Sequence, residues 1–222
     1  VVPFLKRSGV SKIDLLVITH PHNDHMGGAA AVLREFPVIS VVDCGRQAES
    51  FVYRQYRDCV QKEGNTCLTV ECGDLIDEFQ GVRLYVLSPP SIRPHDKGES
   101  SNVNNSSVVL RILYGHVSFL LAGDAEQEAE HGMVSRYGNF LESTLLKVGH
   151  HGSSTSSTDE FVNSVQPEYA VISVGRWNRF GHPSKSVLQR FADRDVDLSR
   201  TDEEGAVLFE TDGFTLEHLA WR

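Results

Sequence analysis

The feature that most restricts the fold is a run of histidines directly after a short apolar segment. Residues 13–19 read IDLLVIT, a β-branched run typical of a buried strand, and residues 20–28 read HPHNDHMGG. Imidazole and carboxylate groups are ligands that zinc and manganese accept, and the candidate ligands here are His20, His22, Asp24 and His25. On an extended turn the first two histidines point the same way, whereas the aspartate and the last histidine can face a second ion. The sequence therefore predicts a metal site where a strand gives way to a helix.

Charge and hydropathy restrict the partners. The 222 residues carry a net charge of −9, which opposes the broad positive surface of a protein that grips duplex DNA by its phosphates. Any binding of nucleic acid is therefore expected at a local site, where bound divalent cations would supply positive charge. We expect no membrane-spanning helix, and any targeting signal is expected to lie outside this chain.

The four cysteines, Cys44, Cys59, Cys67 and Cys72, have no zinc-finger spacing, so we expect no structural zinc. Cys59, Cys67 and Cys72 are close enough in sequence for a disulfide in an oxidising compartment. Buried free thiols are equally compatible with the pattern.

Strands and helices are predicted to alternate along most of the chain. Predicted strands cover residues 13–19, 38–42, 108–113, 117–121, 144–148 and 169–174, with further short strands between 67 and 87; predicted helices cover 27–35, 49–62, 125–137, 158–165 and 184–192. Residues 89–105 are predicted to form a polar loop, and residues 205–219 a terminal hairpin. Because there is no internal repeat and no linker, we expect one mixed α/β domain over residues 1–222.

Two further polar clusters follow predicted strands. Asp124 comes directly after an apolar run and a glycine, so its carboxylate is expected at the sheet edge, where each oxygen can bind a different ion. The alternative is that Asp124 caps the helix that begins at residue 125. The other cluster contains His150 and His151 in KVGHHGS, with His182 in RFGHPS. Any of these histidines could complete the second metal site, and a core or capping role is the alternative for each.

The HxHxDH run is the signature of the metallo-β-lactamase superfamily. The strings NNSSVVL, LLAGDAE, LLKVGHHGSSTSS, VISVGRWNRFGHPS and RTDEEGAVLFETDG together resemble the soluble metallo-β-lactamase-like domain of ComEC-type DNA-uptake channels, over nearly the whole chain. The resemblance implies an α/β fold, the αββα sandwich with mixed sheets. Members usually begin with two strands that carry a DVGQGDA-like segment, and this chain is expected to lack them.

The resemblance also implies a ligand set for two divalent ions, zinc or manganese: His20, His22, Asp24, His25, Asp124 and His182. His182 is preferred because the last ligand of phosphodiesterase members such as tRNase Z follows a later strand. His150 or His151 then protonates the leaving group, and the swapped assignment stays open. Where members usually have a further histidine, residues 102–107 read NVNNSS, so the first ion is expected to be labile or to be manganese. His95 and His116 are possible substitutes, although a surface role fits both better.

The implied activity is attack of metal-activated water on a phosphodiester, with Asp24 as ligand and as acceptor of the nucleophile's proton. The candidate substrate-binding residues are Asn105, Ser153 with its neighbours Ser154 and Thr155, Arg176, Asn178 and Arg179. The alternative for the loop that contains the two arginines is a solvated turn with one packed tryptophan, Trp177.

The resemblance further implies a bacterial nuclease of competence-type DNA uptake, with DNA as substrate and a membrane channel domain of the same or another chain as partner. Such a domain would work at the extracytoplasmic face of the membrane, and a stand-alone relative would be cytoplasmic. A small-molecule ester, lactone or phosphocholine hydrolase is the first alternative, and a binding domain with a decayed metal site is the second. Oligomeric state is not predicted.

Overall fold

The computed structural model describes residues 1–90 and 102–220. The helices are α1 (Val2–Arg7), α2 (Asn23–Met26), α3 (Ala29–Glu35), α4 (Phe51–Lys62), α5 (Gln127–Tyr137), α6 (Asp159–Val165), α7 (Lys185–Ala192) and α8 (Thr201–Glu204). The strands are β1 (Ile13–Ile18), β2 (Val38–Asp43), β3 (Thr66–Thr69), β4 (Leu75–Phe79), β5 (Val82–Ser88), β6 (Val109–Tyr114), β7 (Val117–Leu121), β8 (Leu145–Lys147), β9 (Tyr169–Ile172), β10 (Asp197–Arg200), β11 (Leu208–Thr211) and β12 (Leu216–Leu219). Short 3₁₀ turns lie at Asn104–Ser106, Gly138–Leu141 and Gly149–Gly152.

The strands form two main sheets and one hairpin. The first sheet has the order β1-β2-β3 and is parallel, and the second has the order β10-β9-β8-β7-β6-β5-β4. From β7 to β10 neighbouring strands are parallel, whereas from β4 to β7 they are antiparallel. Strands β11 and β12 pair only with each other within the described residues. The predicted αββα sandwich with mixed sheets is confirmed.

Three apolar clusters define the layers of the sandwich. Helices α2, α3 and α4 pack on one face of the first sheet through residues such as Leu33, Val41 and Tyr56. The two sheets face each other through a cluster that includes Val42 of β2 and Val86 of β5. Helices α5, α6 and α7 cover the outer face of the second sheet. Each sheet is therefore buried on both faces in its centre, which explains why β1, β2, β7 and β8 are almost uninterrupted apolar runs.

Helix boundaries follow from side-chain caps. The hydroxyl of Thr158 accepts a hydrogen bond from the Phe161 amide, and Ser50 and Ser184 cap α4 and α7 in the same way. The helix predicted over residues 27–35 begins at Ala29, and a separate short helix, Asn23–Met26, precedes it. Helix α1, strand β10 and helix α8 were not predicted.

The cysteines and the hydropathy of the helices settle two sequence predictions. All four cysteines are free thiols, so the disulfide alternative is wrong for this structure. Cys67 instead donates to the Asp43 carboxylate, with 3.3 Å between sulfur and oxygen. Among the helices of the described residues, none combines the length and apolar character needed to cross a bilayer.

Candidate metal centre

The loop after β1 brings two histidines together at the sheet edge. His20 is fully buried, and its Nε2 lies 2.9 Å from the Nδ1 of His22. His20 Nδ1 lies 3.2 Å from the hydroxyl oxygens of both Thr19 and Ser107. These hydroxyls fix the His20 ring, so its Nε2 is directed at His22 and toward Asp124, whose Oδ2 is 3.9 Å away.

A second set of groups converges beside this pair, and its members are Asp24, His25, Asp124 and His151. Their ligand atoms all lie within 4.8 Å of one another. His25 Nε2 is 3.3 Å from His151 Nε2 and 3.1 Å from Asp124 Oδ1. The Asp24 carboxylate is 3.3 Å from His151 Nε2. Two imidazoles and two carboxylates are a donor set that suits zinc, manganese or iron.

Asp124 enters the centre from the end of β7 through a strained turn. Gly123 has φ +54°, and a Cβ at this position would lie 2.8 Å from the Ser107 Cβ, so the turn requires glycine. The Asp124 amide donates to the Ser107 hydroxyl at 3.0 Å. Ser107 therefore contacts both His20 and the Asp124 backbone and links the two halves of the centre.

His150 and His151 lie in a turn with left-handed backbone, at φ 44° and φ 54°. This conformation sends neighbouring side chains in different directions. His151 Nδ1 donates to the Ser173 carbonyl at 2.7 Å, which fixes the tautomer of the neutral ring and directs Nε2 at the centre. His150 Nδ1 instead lies 2.9 Å from the Glu126 carboxylate. The backbone strain of this turn thus separates a ligand-like histidine from one paired with an acid.

Burial and neighbouring charges set the protonation of the centre. Burial lowers the pKa of His20 to about 3, so this imidazole is neutral near pH 7 and its lone pair is available. Burial by itself raises the pKa of Asp124, but His25, Lys147 and His151 outweigh it and hold this pKa below its ordinary value. Burial also lowers the pKa of Lys147, although Asp124 opposes the shift. A neutral histidine and an ionised carboxylate are the forms that bind metal.

The arrangement fits a divalent cation. Asp124 Oδ1 is buried and has no hydrogen-bond partner, although His25 Nε2 lies near it. Such an oxygen is costly unless something positive satisfies it. The Nε2 atoms of His25 and His151 also lie 3.3 Å apart. At this distance they form a hydrogen bond only if one nitrogen carries a proton and the other does not. A cation between these donors would satisfy all of them.

A comparison of the sequence with family models identifies the family. The model described as metallo-beta-lactamase superfamily matches residues 3–44 and 101–176, about half of the chain. The chain belongs to the metallo-beta-lactamase superfamily.

Curated proteins similar to this chain include one whose name is that of a competence protein. The ComE operon protein 3 of Bacillus subtilis is 33% identical over 94% of this chain, and competence protein ComA of Neisseria gonorrhoeae is 34% identical over 94%. The chain spans about a quarter of the length of these relatives, 26% and 27%. Among solved structures, the diiron beta-hydroxylase CmlA of Streptomyces venezuelae has a TM-score of 0.55 at 14% identity, over 86% of this chain and 44% of CmlA. That similarity concerns the fold alone.

His182, which the sequence assigned as a ligand, is not among the four residues whose ligand atoms converge, and His151 is one of them. The His182 ring stacks on Phe180 at 5.9 Å and lies 5.6 Å from the His150 ring. Burial, followed by the influence of His150 and His151, lowers the pKa of His182. Of the suggested substitutes for the missing histidine, His95 lies outside the described residues. His116 lies in the exposed turn between β6 and β7.

Most of the predicted substrate-binding side chains are engaged within the protein. Asn105 Oδ1 accepts from the Glu126 amide at 2.9 Å, and its Nδ2 donates to Glu128. Ser153 is buried and bonds to Thr155. Asn178 binds both backbone groups of His182, at 2.7 and 3.0 Å, and therefore shapes its own loop. These side chains hold the walls of the site together instead of projecting from them.

The loop with the two arginines is solvated, as its alternative form predicted, and the phosphate-binding role of the arginines stays a prediction. Arg176 Nε donates to the Asp202 carbonyl at 3.0 Å. Arg179 is exposed, with its guanidinium carbon 5.6 Å from the centre of the Phe180 ring. Trp177 is 91% exposed, so the predicted packed tryptophan is wrong. The exposed ring of Phe180 therefore lies next to His182.

Three residues at the site were missed by sequence reasoning: Ser107, Glu126 and Lys147. Glu126 accepts from Thr155 and Asn104 and pairs with His150, and Lys147 donates to the Gly123 carbonyl at 3.1 Å. Two of them stand within three residues of predicted ligands, Glu126 after Asp124 and Lys147 before His150. Proximity to those ligands was the signal that could have identified them.

Proposed function

We propose that this superfamily member is a metal-dependent phosphodiesterase that cleaves DNA during competence-type DNA uptake. The observation that carries the proposal is the convergence of Asp24, His25, Asp124 and His151 within 4.8 Å, next to the His20–His22 pair. Support for DNA as substrate comes from the relatives, whose names include that of a competence protein and, in Haemophilus influenzae, of recombination protein 2.

In this proposal His20, His22 and Asp124 would hold one ion, and the four converging residues would hold the other. When bound, divalent ions of this kind, zinc or manganese, lower the pKa of water and neutralise charge that develops on phosphate. We assign His151 as ligand in place of His182, because the Ser173 carbonyl fixes its Nδ1 proton and directs its Nε2 at Asp24 and Asp124. Asp24, whose side chain is 64% exposed, remains the proposed acceptor of the nucleophile's proton.

His150 is the proposed proton donor to the leaving oxygen. Its ring is outside the converging group but adjacent to it, with 6.2 Å between the His150 and His151 ring centres. The carboxylate of Glu126 lies 2.9 Å from Nδ1 and holds the ring in place. Glu126 is in turn fixed by Thr155 and Asn104. Residues of the NVNNSS and HHGSST segments therefore act together, through Glu126, to position the His150 imidazole.

The proposed setting is the extracytoplasmic face of a bacterial membrane, beside a channel domain of the same or another chain. The relatives support it in one respect: they are about four times longer than the matched region, so each has other parts to which such a domain belongs.

The first experiment measures metal content and cleavage together. Metal-free protein is titrated with Mn²⁺ or Zn²⁺, bound metal is counted by mass spectrometry, and cleavage of single- and double-stranded DNA is followed on gels. We expect Asp124→Asn to lose metal and at least a hundredfold of cleavage while it stays folded. Equal cleavage by wild type and Asp124→Asn would refute the proposal.

The second experiment separates His151 from His182. Because only His151 belongs to the converging group, His151→Asn is expected to lower the bound metal by one equivalent, and the matched variant His182→Asn is expected to keep it. The reverse pattern would restore the sequence-based assignment. Hydrolysis of a chromogenic lactone or lactam without cleavage of bis-p-nitrophenyl phosphate would point to a small-molecule hydrolase instead.

A further inference from the structure

A cavity of about 370 Å³ lies beside the metal centre and belongs to none of the roles described so far. It is lined by Asp43, Gly45, Gln47, Tyr53, Arg57 and Thr69. Asp43 and Thr69 are the last residues of the parallel strands β2 and β3, and Asp43 pairs in register with Ile18 of β1. Since β1 runs on into His20, the cavity opens at the same sheet edge as the metal ligands, one strand further along.

The floor of the cavity is a carboxylate that is already satisfied. Asp43 is 8% exposed, and its Oδ1 accepts from the Gly45 amide at 2.8 Å. Its Oδ2 accepts from the Tyr56 hydroxyl at 3.2 Å and from the Cys67 thiol at 3.3 Å. Three donors satisfy this buried carboxylate, so the floor does not require a cation.

The walls, by contrast, offer hydrogen-bond donors without partners. Across residues 1–90 and 102–220, no carboxylate lies within ion-pair distance of the Arg57 guanidinium, whose contact is the Cys67 sulfur at 3.8 Å. Burial raises the pKa of Tyr53, so its hydroxyl is a donor at neutral pH. In the same part of the chain, the side chains of Gln47 and Thr69 make no hydrogen bond. The open face of the cavity therefore carries one full positive charge and several polar hydrogens.

A short polar connection joins this cavity to the metal centre. Arg46, which lies between the lining residues Gly45 and Gln47, donates to the Ser106 hydroxyl at 2.8 Å. The next residue, Ser107, contacts His20 Nδ1 at 3.2 Å. The two sites are therefore linked through hydrogen bonds along one edge of the sandwich.

We propose that the cavity is a second binding site, which takes a phosphate of the substrate strand other than the one being cleaved. The proposal rests on the proposed phosphodiesterase function. A phosphate presents acceptor oxygens only, which suits a guanidinium flanked by hydroxyl and amide donors. Arg57 would form the charged contact, and Tyr53, Gln47 and Thr69 would complete it.

Binding is tested without metal, so that the catalytic centre does not contribute. A fluorescein-labelled ten-nucleotide oligothymidylate is titrated in EDTA against wild type, Arg57→Met and Lys62→Met, and anisotropy is measured over a range of NaCl concentrations. Lys62 is a matched control because it is an exposed cation at the end of α4, on a different face from Arg57. We expect Arg57→Met to weaken binding about tenfold and to reduce the salt slope by about 0.7, and Lys62→Met to change binding less than twofold.

Cleavage with Mn²⁺ gives a second readout. The ratio of kcat/KM on the oligonucleotide to kcat/KM on bis-p-nitrophenyl phosphate is expected to fall about tenfold in Arg57→Met and to stay within twofold in Lys62→Met. Arg57→Lys, which keeps the charge, is expected to retain the salt slope. If circular dichroism shows that Arg57→Met is unfolded, Arg57→Gln replaces it with the same expected losses, and unchanged binding in Arg57→Gln would then count against the site.

The outcomes separate the two proposals. Equal binding and equal ratios in Arg57→Met and wild type would overturn the phosphate site and leave the phosphodiesterase intact. Equal losses in Arg57→Met and Lys62→Met would also overturn it, because general charge would then explain binding. If wild type cleaves neither substrate but Arg57→Met still binds the oligonucleotide about tenfold more weakly, the phosphodiesterase fails and the phosphate site stands.

Discussion

Replacement of Glu130 is expected to destabilise the loop that carries His150 and His151, although Glu130 itself lies outside the metal centre. Glu130 lies on α5, is fully buried, and accepts hydrogen bonds from the amides of Ser157 and, at 2.8 Å, Thr158. These two residues end the loop that carries His150 and His151, and Thr158 is the cap of α6. One carboxylate therefore anchors the far end of the segment that supplies a proposed ligand.

The size of the effect follows from the groups left without partners. Glu130→Ala leaves two amides with no acceptor, one of them fully buried, and each such loss costs about 1–3 kcal/mol. We expect Glu130→Ala to lower the free energy of unfolding by about 2–4 kcal/mol. Glu130→Gln keeps one acceptor but turns an NH₂ toward the other amide, so about half of that loss is expected.

The assay is urea unfolding of the metal-free protein at pH 7, with Glu168→Gln as control. Glu168 is an exposed carboxylate, and its replacement is expected to change the free energy of unfolding by less than about 0.5 kcal/mol. With a slope of about 2 kcal/mol/M, the Glu130→Ala midpoint should fall by about 1–2 M. A shift equal to that of Glu168→Gln would refute the reasoning that these amides depend on Glu130.

Three further predictions concern the centre itself. Gly123→Ala is expected to lower the free energy of unfolding by about 2 kcal/mol or more, measured by thermal unfolding, because φ is +54° and a methyl group would lie 2.8 Å from Ser107. Ser107→Ala removes the hydroxyl that contacts His20 and the Asp124 amide, so titration calorimetry should show metal affinity about 10–100-fold weaker; unchanged affinity would contradict its supporting role. Burial lowers the pKa of His20 to about 3, so between about pH 6.5 and pH 3 this histidine binds a proton in the unfolded chain but not in the folded one. The metal-free protein should therefore lose stability as pH falls below about 6.5. His20→Asn should flatten this decrease in urea midpoint between pH 7 and pH 5.

The parts of the fold that the sequence predicted are those with a local cause. Strand β1 is an apolar run whose residues pack against the clusters on both faces of its sheet, and strand β7 is a largely buried apolar run. Thr158 marks the start of α6 by its own hydroxyl. Strand β10 reads DLSR and lies at the edge of its sheet, so it has no apolar run to reveal it. Its position depends on pairing with β9, which the sequence does not display.

The candidate site divides in the same way. His20 to His25 and Asp124 follow directly from buried strands, so their meeting at one edge could be predicted from the sequence. The choice between His151 and His182 could not, because it depends on the left-handed backbone of His150 and His151 and on the distant Ser173 carbonyl. The role of Asn105 was equally hidden, since its partners Glu126 and Glu128 come from another part of the chain.

The donors of the centre come from both layers of the sandwich, His20 to His25 from the edge of the three-stranded sheet and Asp124 and His151 from the seven-stranded one. A cation held by both sets would link the two sheets, and it would stabilise the folded sandwich by the free energy of its own binding. Removal of the cation should then let the two sheets separate first at this edge. The amides of β1 and β7 should therefore exchange hydrogen faster in the metal-free protein than in the metal-bound protein.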